Sequence, residues 1–252
     1  MSSLKGAATL FPKDTFSYSA TAETGIGVKA HGQDGEYRYV KAGATTLVPG
    51  TLVQSPAVIP DHINLVVNTS LTAVGATQVK ATLGGTALTA NYYAGGTLLV
   101  SNGGGIGYAY KIASHPAADA SANVFITLDS AEAIKVAANS TTRVDLISNR
   151  FQNVIINPTT PTGSVVGVAV APIPNAQFGY VKVSGAAPVL VGVSTPAVGQ
   201  LVSPSGNTAG AVDTFSTSNS TVVQAVSNSA PIGRMLSTGV SAHVSMVDLD
   251  IE

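Results

Sequence analysis

EYRYVKAGATTLVPGTLV, residues 36–53, reads as two short strands joined by a turn. The chain repeats much of it at residues 177–202, QFGYVKVSGAAPVLVGVSTPAVGQLV. Tyr39-Val40-Lys41 returns as Tyr180-Val181-Lys182, and Gly50-Thr51-Leu52-Val53 returns as Gly199-Gln200-Leu201-Val202. Alternation at Tyr37, Tyr39 and Lys41 puts these side chains on one face, because successive residues of a strand point to opposite sides. The second copy is longer between its lysine and its glycine. A hairpin loop absorbs such an insertion at little cost, because closure entropy grows only with the logarithm of length. Two readings follow. One is a strand–turn–strand module that founds each of two barrel-like units, around 36–56 and 177–204. The other is a chance likeness between two ordinary hairpins.

The same signals run along most of the chain. β-branched residues alternate with Gly, Pro, Asn and Ser breakers, which predicts strands near 36–42, 45–48, 51–54, 62–68, 77–83, 97–101, 107–113, 123–128 and 143–148. Further strands are expected near 153–157, 164–170, 178–184, 188–192, 200–203, 210–215, 221–226, 231–237 and 243–251. Only SAEAIKVAAN (130–139) has helical character, and its Ile-Lys-Val suits a strand equally well. The expected fold class is all-β and antiparallel, made of small β-barrel or sandwich units with an extended N-terminal arm. SNGGGIGY (101–108) reads as a glycine-rich turn and SHPAADASAN (114–123) as a small-residue loop. NPTTPT (157–162) reads as a linker, since its prolines cannot continue a ladder. The expected division is an arm at 1–35, a β-rich domain at 36–157 and a barrel-like domain at 158–252.

Charged residues make up 10% of the chain, against about 25% in typical soluble domains. Between Phe151 and Gly233 the only charged side chains are Lys182 and Asp213. Such a stretch fits a β protein whose exterior is covered by hydroxyls, or a surface covered in an assembly, since interface cores are poor in charge. A net charge of −1 gives no basic footprint for nucleic acid. The most apolar run, VVGVAVAPIP (165–174), is far shorter than the roughly 20 residues of a spanning helix. MSSLKGAATLFPKD holds no apolar run suited to a secretory signal, so neither a membrane partner nor a signal peptide is expected. With no Cys, disulfides and thiolate chemistry are excluded.

No catalytic, cofactor-binding or metal-binding set emerges. His31, His62, His115 and His243 stand at no metal-ligand spacing. His115, just before Pro116, reads as a turn residue rather than a ligand, and His243 as a strand residue facing solvent or a neighbour. There is no G-x-S-x-G elbow, and GGGIG (103–107) lacks the third glycine of a dinucleotide fingerprint. Asp248, Asp250 and Glu252 alternate onto one face. There they either bind Ca²⁺ or, more simply, keep a terminal edge strand from pairing. Tyr37/Tyr39, Tyr108/Tyr110 and Phe178/Tyr180 each share a face, which suits cross-strand packing or a sugar platform. The absence of Trp weakens the sugar reading. No enzyme activity is expected.

Two long segments are similar to a pattern in virion structural proteins of tailed bacteriophages. They are QVKATLGGTALTANYYAGGTLLVSNGGGIGYAYKIASHPAADASANVFITL (78–128) and NPTTPTGSVVGVAVAPIPNAQFGYVKVSGAAPVLV (157–191). The likeness is specific at GYAYKIASHP (107–116) and FGYVKVSG (178–185). GAVDTF (210–215) and PIGRMLSTGVSAHVSMVDLDI (231–251) resemble the end of capsid decoration, or cement, proteins, in which the last strands complete a small β-barrel. The resemblance covers most of residues 35–252 and is weak in the arm. It implies a head-stabilising virion structural protein on the capsid exterior, without catalytic residues or cofactors. Its partners would be the major capsid protein and further copies of itself, often as a homotrimer at local three-fold positions. The arm would contact the capsid through Lys5, Phe11, Pro12 and Phe16. The alternative is a tail- or fibre-associated module that binds the host or its glycans.

Overall fold

A computed structural model describes residues 8–9, 14–68, 72–215 and 230–252. The architecture is all-β and almost entirely antiparallel, and it forms two compact units. Residues 57–149 make one unit; the described parts of 1–56 and 150–252 make the other. This differs from the expected boundaries at 35 and 157, because one unit is inserted between two segments of the other. Before the insertion lie β1 (Ala8–Thr9), β2 (Tyr18–Ser19), β3 (Lys29–Gly32), β4 (Gly35–Lys41) and β5 (Leu52–Gln54). The insertion carries β6 (Leu65–Val67), β7 (Gln78–Thr82), β8 (Thr97–Asn102), β9 (Ala109–Ser114), β10 (Asn123–Leu128) and β11 (Arg143–Ile147). After it come β12 (Ile155–Ile156), β13 (Val165–Ala169), β14 (Phe178–Leu190), β15 (Leu201–Pro204), β16 (Val212–Thr214), β17 (Gly233–Met235) and β18 (Val244–Asp250).

The inserted unit is a closed antiparallel barrel in the order β10-β7-β6-β11-β8-β9. Alternation of buried with half-buried or exposed residues along β7, β11 and most of β8 supplies one inward row per strand. Closure then leaves no strand edge unpaired. Val79, Leu98, Ile112, Ile126 and Leu146 fill the interior together with their neighbours. The gap left among Val67, Val100 and Val144 is about 10 Å³, at most the room of one water. The ambiguous segment 130–139 forms neither helix nor strand. It exchanges backbone hydrogen bonds with residues 75 and 76 and drops Ile134 into the core.

The second unit is organised by β14. Its sheet runs β1-β3-β4-β14-β18-β17-β15-β16, with β2, β5, β12 and β13 attached beside that path. The strands expected at 178–184 and 188–192 are one strand. Its first half pairs with β4 and its second half with β18. The register shifts between Lys182 and Ser184, and Gly185 follows at φ +87°, a backbone state that side chains other than glycine's rarely adopt. The first half of β14 is covered on both faces, which explains its nearly unbroken burial. One face meets aliphatic residues such as Val40, Leu47, Val53 and Val154. The other meets Tyr37 and Tyr39.

Several expectations change here. Both copies of the repeated phrase lie in this one unit, so they do not found two barrels. NPTTPT joins β12 to β13, which both pair with β5, and so turns within a sheet instead of linking domains. Within the expected arm at 1–35, residues 18–19 and 29–32 are part of the sheet, because β2 pairs with β14 and β3 with β4. The terminal strand β18 is internal, paired with both β14 and β17, so its carboxylates guard no edge. Residues 45–48 contribute a single bridge, Leu47 to Ile173. The strand expected at 221–226 lies outside the described residues. Among the described residues no helix is long and apolar enough to cross a membrane.

Candidate functional site

The repeated phrase pairs with itself. β4 carries Tyr37-x-Tyr39-x-Lys41 and β14 carries Phe178-x-Tyr180-x-Lys182. The antiparallel register sets Tyr180 opposite Tyr39, Phe178 opposite Lys41 and Lys182 opposite Tyr37. Two copies of aromatic-x-Tyr-x-Lys, paired about the central tyrosine, must place a lysine across from an aromatic at both ends. The Tyr39 and Tyr180 rings are 5.0 Å apart and Tyr39 stacks on Phe178 at 6.0 Å. The Lys41 ammonium lies 5.6 Å from the Phe178 ring centre, and that of Lys182 lies 5.4 Å from Tyr37. Cross-strand packing and cation–π attraction therefore stabilise the same ladder.

The Lys182 end is the more elaborate. Lys182 is 1% exposed, and its Nζ donates to Asp34 Oδ2 at 2.7 Å and to Ala186 O at 2.6 Å. The Tyr37 hydroxyl donates to Asp34 Oδ1 at 2.8 Å. Asp34 sits in the turn between β3 and β4 with its side chain 64% exposed. Burial by itself would raise the Asp34 carboxyl, but the hydrogen bonds from Lys182 and Tyr37, with the ammonium charge, outweigh it and hold the group below the usual range. The Tyr37 phenol is pushed up by burial first, then by its bond to the carboxylate and by that charge.

Beside this pair runs a groove of about 380 Å³ lined by Phe16, Val170, Ala186 and Pro188, with Asp34 and Lys182 at its polar side. Phe16, 64% exposed, ends the 3-10 turn Asp14–Phe16. It is the one candidate capsid-contact residue that the structure places; Lys5, Phe11 and Pro12 lie outside the described residues. The apolar surface continues across the sheet. Pro188 stands opposite Met246 and Leu190 opposite Val244. The Leu236 amide bonds Met246 O. Met246, Val244 and Leu236 are all exposed.

The two charges of the long uncharged stretch are both internal. Lys182 is held as above. Asp213 is 4% exposed and accepts from the Ser194 amide (2.8 Å), the Ser194 hydroxyl (2.8 Å) and the Ser205 hydroxyl (2.6 Å). Consequently the described residues between 151 and 233, other than these two, present only uncharged side chains to the surface. Neither partner set was visible beforehand. The signal was the isolation of each charge among apolar and hydroxylic neighbours, since a lone buried charge must be paired or hydrogen-bonded.

The remaining candidates do not converge. His31 lies 3.3 Å from Glu36, and His243, exposed before β18, faces Ser241 O at 2.9 Å. Tyr108 and Tyr110 stack at 6.2 Å. Asp248 and Asp250 are exposed on β18, whereas Glu252 turns away to the Arg38 and Arg150 guanidiniums. The three carboxylates therefore do not form one cluster. Among the described residues no group of three or more His, Asp and Glu side chains is placed to hold a metal ion. His62 and His115 are buried in the barrel unit. No protein-family model, curated protein or solved structure matches the chain.

Proposed function

We propose that the chain is a decoration protein of a tailed-phage virion, which binds the outer face of the capsid shell and holds neighbouring shell subunits together. The observation that carries this reading is the long segment whose only two charges, Lys182 and Asp213, are both internal. Covering a charged surface strips water from ions, and imperfect pairing leaves that penalty unrepaid. A surface of Ser, Thr, Ala and Val avoids it, as interface cores do. The interior of the barrel is filled, so that unit would bind through its exterior. The sequence resemblance supplies the partner, the major capsid protein, and the homotrimeric state. Many weak contacts around a shell then act together through effective concentration.

The test is attachment to purified phage heads that lack this chain, read by co-sedimentation and by the temperature at which the heads release DNA. Binding with a raised release temperature is expected. Density for the chain on the tail in maps of native particles, or binding to host glycans instead of heads, would overturn the reading. Removal of residues 1–16 tests the arm separately: full attachment without it would eliminate Phe16 and its neighbours as contacts.

A further inference from the structure

One mouth of the barrel is closed by three loops that meet around two buried histidines. His62 comes from the 3-10 turn Pro60–His62, Tyr93 from the loop between β7 and β8, and His115 from the loop after β9. His62 Nε2 faces the Thr86 carbonyl at 3.0 Å, and its Nδ1 faces the Tyr93 hydroxyl at 2.8 Å. His115 Nδ1 faces the Pro116 carbonyl at 3.0 Å, and its Nε2 receives the Tyr93 backbone N–H at 3.0 Å. Carbonyls only accept, so His62 carries its proton on Nε2 and His115 on Nδ1.

The two rings differ in what they tolerate. A hydroxyl both donates and accepts, so Tyr93 Oη suits His62 with or without a proton on Nδ1. A backbone N–H only donates, so His115 Nε2 must stay bare for the bond to exist. We propose that His115 is an acid-sensitive latch: a proton on Nε2 ejects the Tyr93 amide and frees the 89–96 turn from the loop at 115–118. The proton comes from solvent and no covalent bond changes. His115 is otherwise zipped to that turn, its N–H donating to Asn91 Oδ1 and its carbonyl accepting from Asn91 N–H, each at 3.1 Å. Leu88 and Ala118 exchange backbone bonds one step further along. Losing the Tyr93 amide bond unseats the residue at the centre of this zipper and opens the way to a core that includes Leu88 and Tyr93.

The surroundings favour a neutral ring. Burial pushes His115 down; the bond to Pro116 O works the other way, and the nearby His62 adds to the lowering. Tyr92 and Tyr93 face the cluster as rings. The acidic residues of the three loops, Asp61 and Asp119, are exposed. The sign follows. An opened loop has a histidine near its ordinary value of about 6.5, whereas the closed loop refuses the proton. Opening is therefore favoured as pH falls below that point, by about tenfold per pH unit until the closed form also protonates. The latch lies wholly within the barrel unit and does not rest on the proposed function.

The test is the exchange protection of the Tyr93 amide in the full chain, corrected for the intrinsic rate at each pH. Protection should fall at least tenfold between pH 7 and pH 5. His115→Gln, whose side-chain oxygen still accepts the amide, should remove the fall, and His62→Gln should leave it in place. Protection that is flat in the wild-type chain, or that still falls in His115→Gln, would overturn the proposal. Imidazole nitrogen shifts of the wild-type chain give a check without a variant. They should place the His115 proton on Nδ1 at pH 7, and a proton on Nε2 there would also overturn it.

Discussion

Tyr180 lies directly across from Tyr39 in the pairing of β14 with β4, with ring centres 5.0 Å apart and planes tilted by 58°. Both rings are buried, and the Tyr39 hydroxyl also accepts the Glu23 amide at 3.0 Å. Tyr39→Ala removes the centre of the ladder and is expected to cost about 3–5 kcal/mol, as for other large buried rings. Tyr39→Phe keeps the ring and loses one hydrogen bond, about 1 kcal/mol. Urea unfolding followed through β14 amide resonances measures both. A loss below about 1 kcal/mol for the alanine variant would mean that the ladder does not hold the sheet.

The ion pair at the ladder's end should respond unequally to its two deletions. Asp34→Ala leaves the buried Lys182 ammonium with Ala186 O as its remaining hydrogen-bond acceptor. The expected cost is about 1–3 kcal/mol, less than for a fully buried pair because water reaches the Asp34 side. Lys182→Met returns Asp34 to solvent and fills the space with an apolar chain, so it should cost less. The folded carboxyl of Asp34 is lowered relative to about 3.9 unfolded. Its contribution is therefore complete above that value and lost as pH falls through the lower, folded one. Acid titration of unfolding should show this loss in the wild-type chain and a smaller one in Lys182→Met. Equal acid sensitivity in both would separate Asp34 from the effect.

Gly185 lets β14 change partners. Its φ is +87°, and a Cβ there would lie 2.5 Å from the Asp34 carbonyl oxygen. Gly199 has a similar φ of +82° with nothing within 4 Å of the added carbon. Gly199→Ala should cost about 1 kcal/mol for the backbone state alone. Gly185→Ala should cost clearly more, because a carbonyl must also move. Equal midpoints in urea for the two variants would show that the bulge relaxes without strain.

The sequence announced most of the strands and little of their pairing. Alternation at Tyr37, Tyr39 and Lys41 and at Phe178, Tyr180 and Lys182 marked two strands correctly, since periodicity is local. That the two strands are neighbours required a register 141 residues apart in the chain, as in Tyr39 to Tyr180, which no local pattern encodes. Lys29–Gly32 shows no strand pattern because this short charged strand, second from the end of the sheet path, buries only Ala30. NPTTPT looks like a linker in sequence because prolines that stop a strand equally well reverse the chain within a sheet, as they do here between β12 and β13. Of the candidate site, the isolated charges Lys182 and Asp213 are legible, but the Asp34 that holds Lys182 is 148 residues away, and Ser194 and Ser205 share no pattern with Asp213. His115 read correctly as a loop residue, yet its burial depends on Tyr93 and Asn91, which share no pattern with it.

Residues 57–149 should fold when expressed alone. The barrel closes on itself, so excision exposes no sheet edge, and its core cluster is drawn from within that segment. Its first and last strands, β6 and β11, are antiparallel neighbours, with Leu65 opposite Val144. The chain therefore enters and leaves at the same end of the barrel, the geometry that tolerates domain insertion. The fragment is expected to give dispersed amide spectra and one cooperative thermal transition. A second substitution sharpens the measurement: Ile126→Ala within the fragment should cost about 2–5 kcal/mol, because a fully buried side chain leaves a cavity in a filled interior. A fragment with strand-like circular dichroism but no cooperative transition would show that the barrel needs the flanking unit to fix its packing.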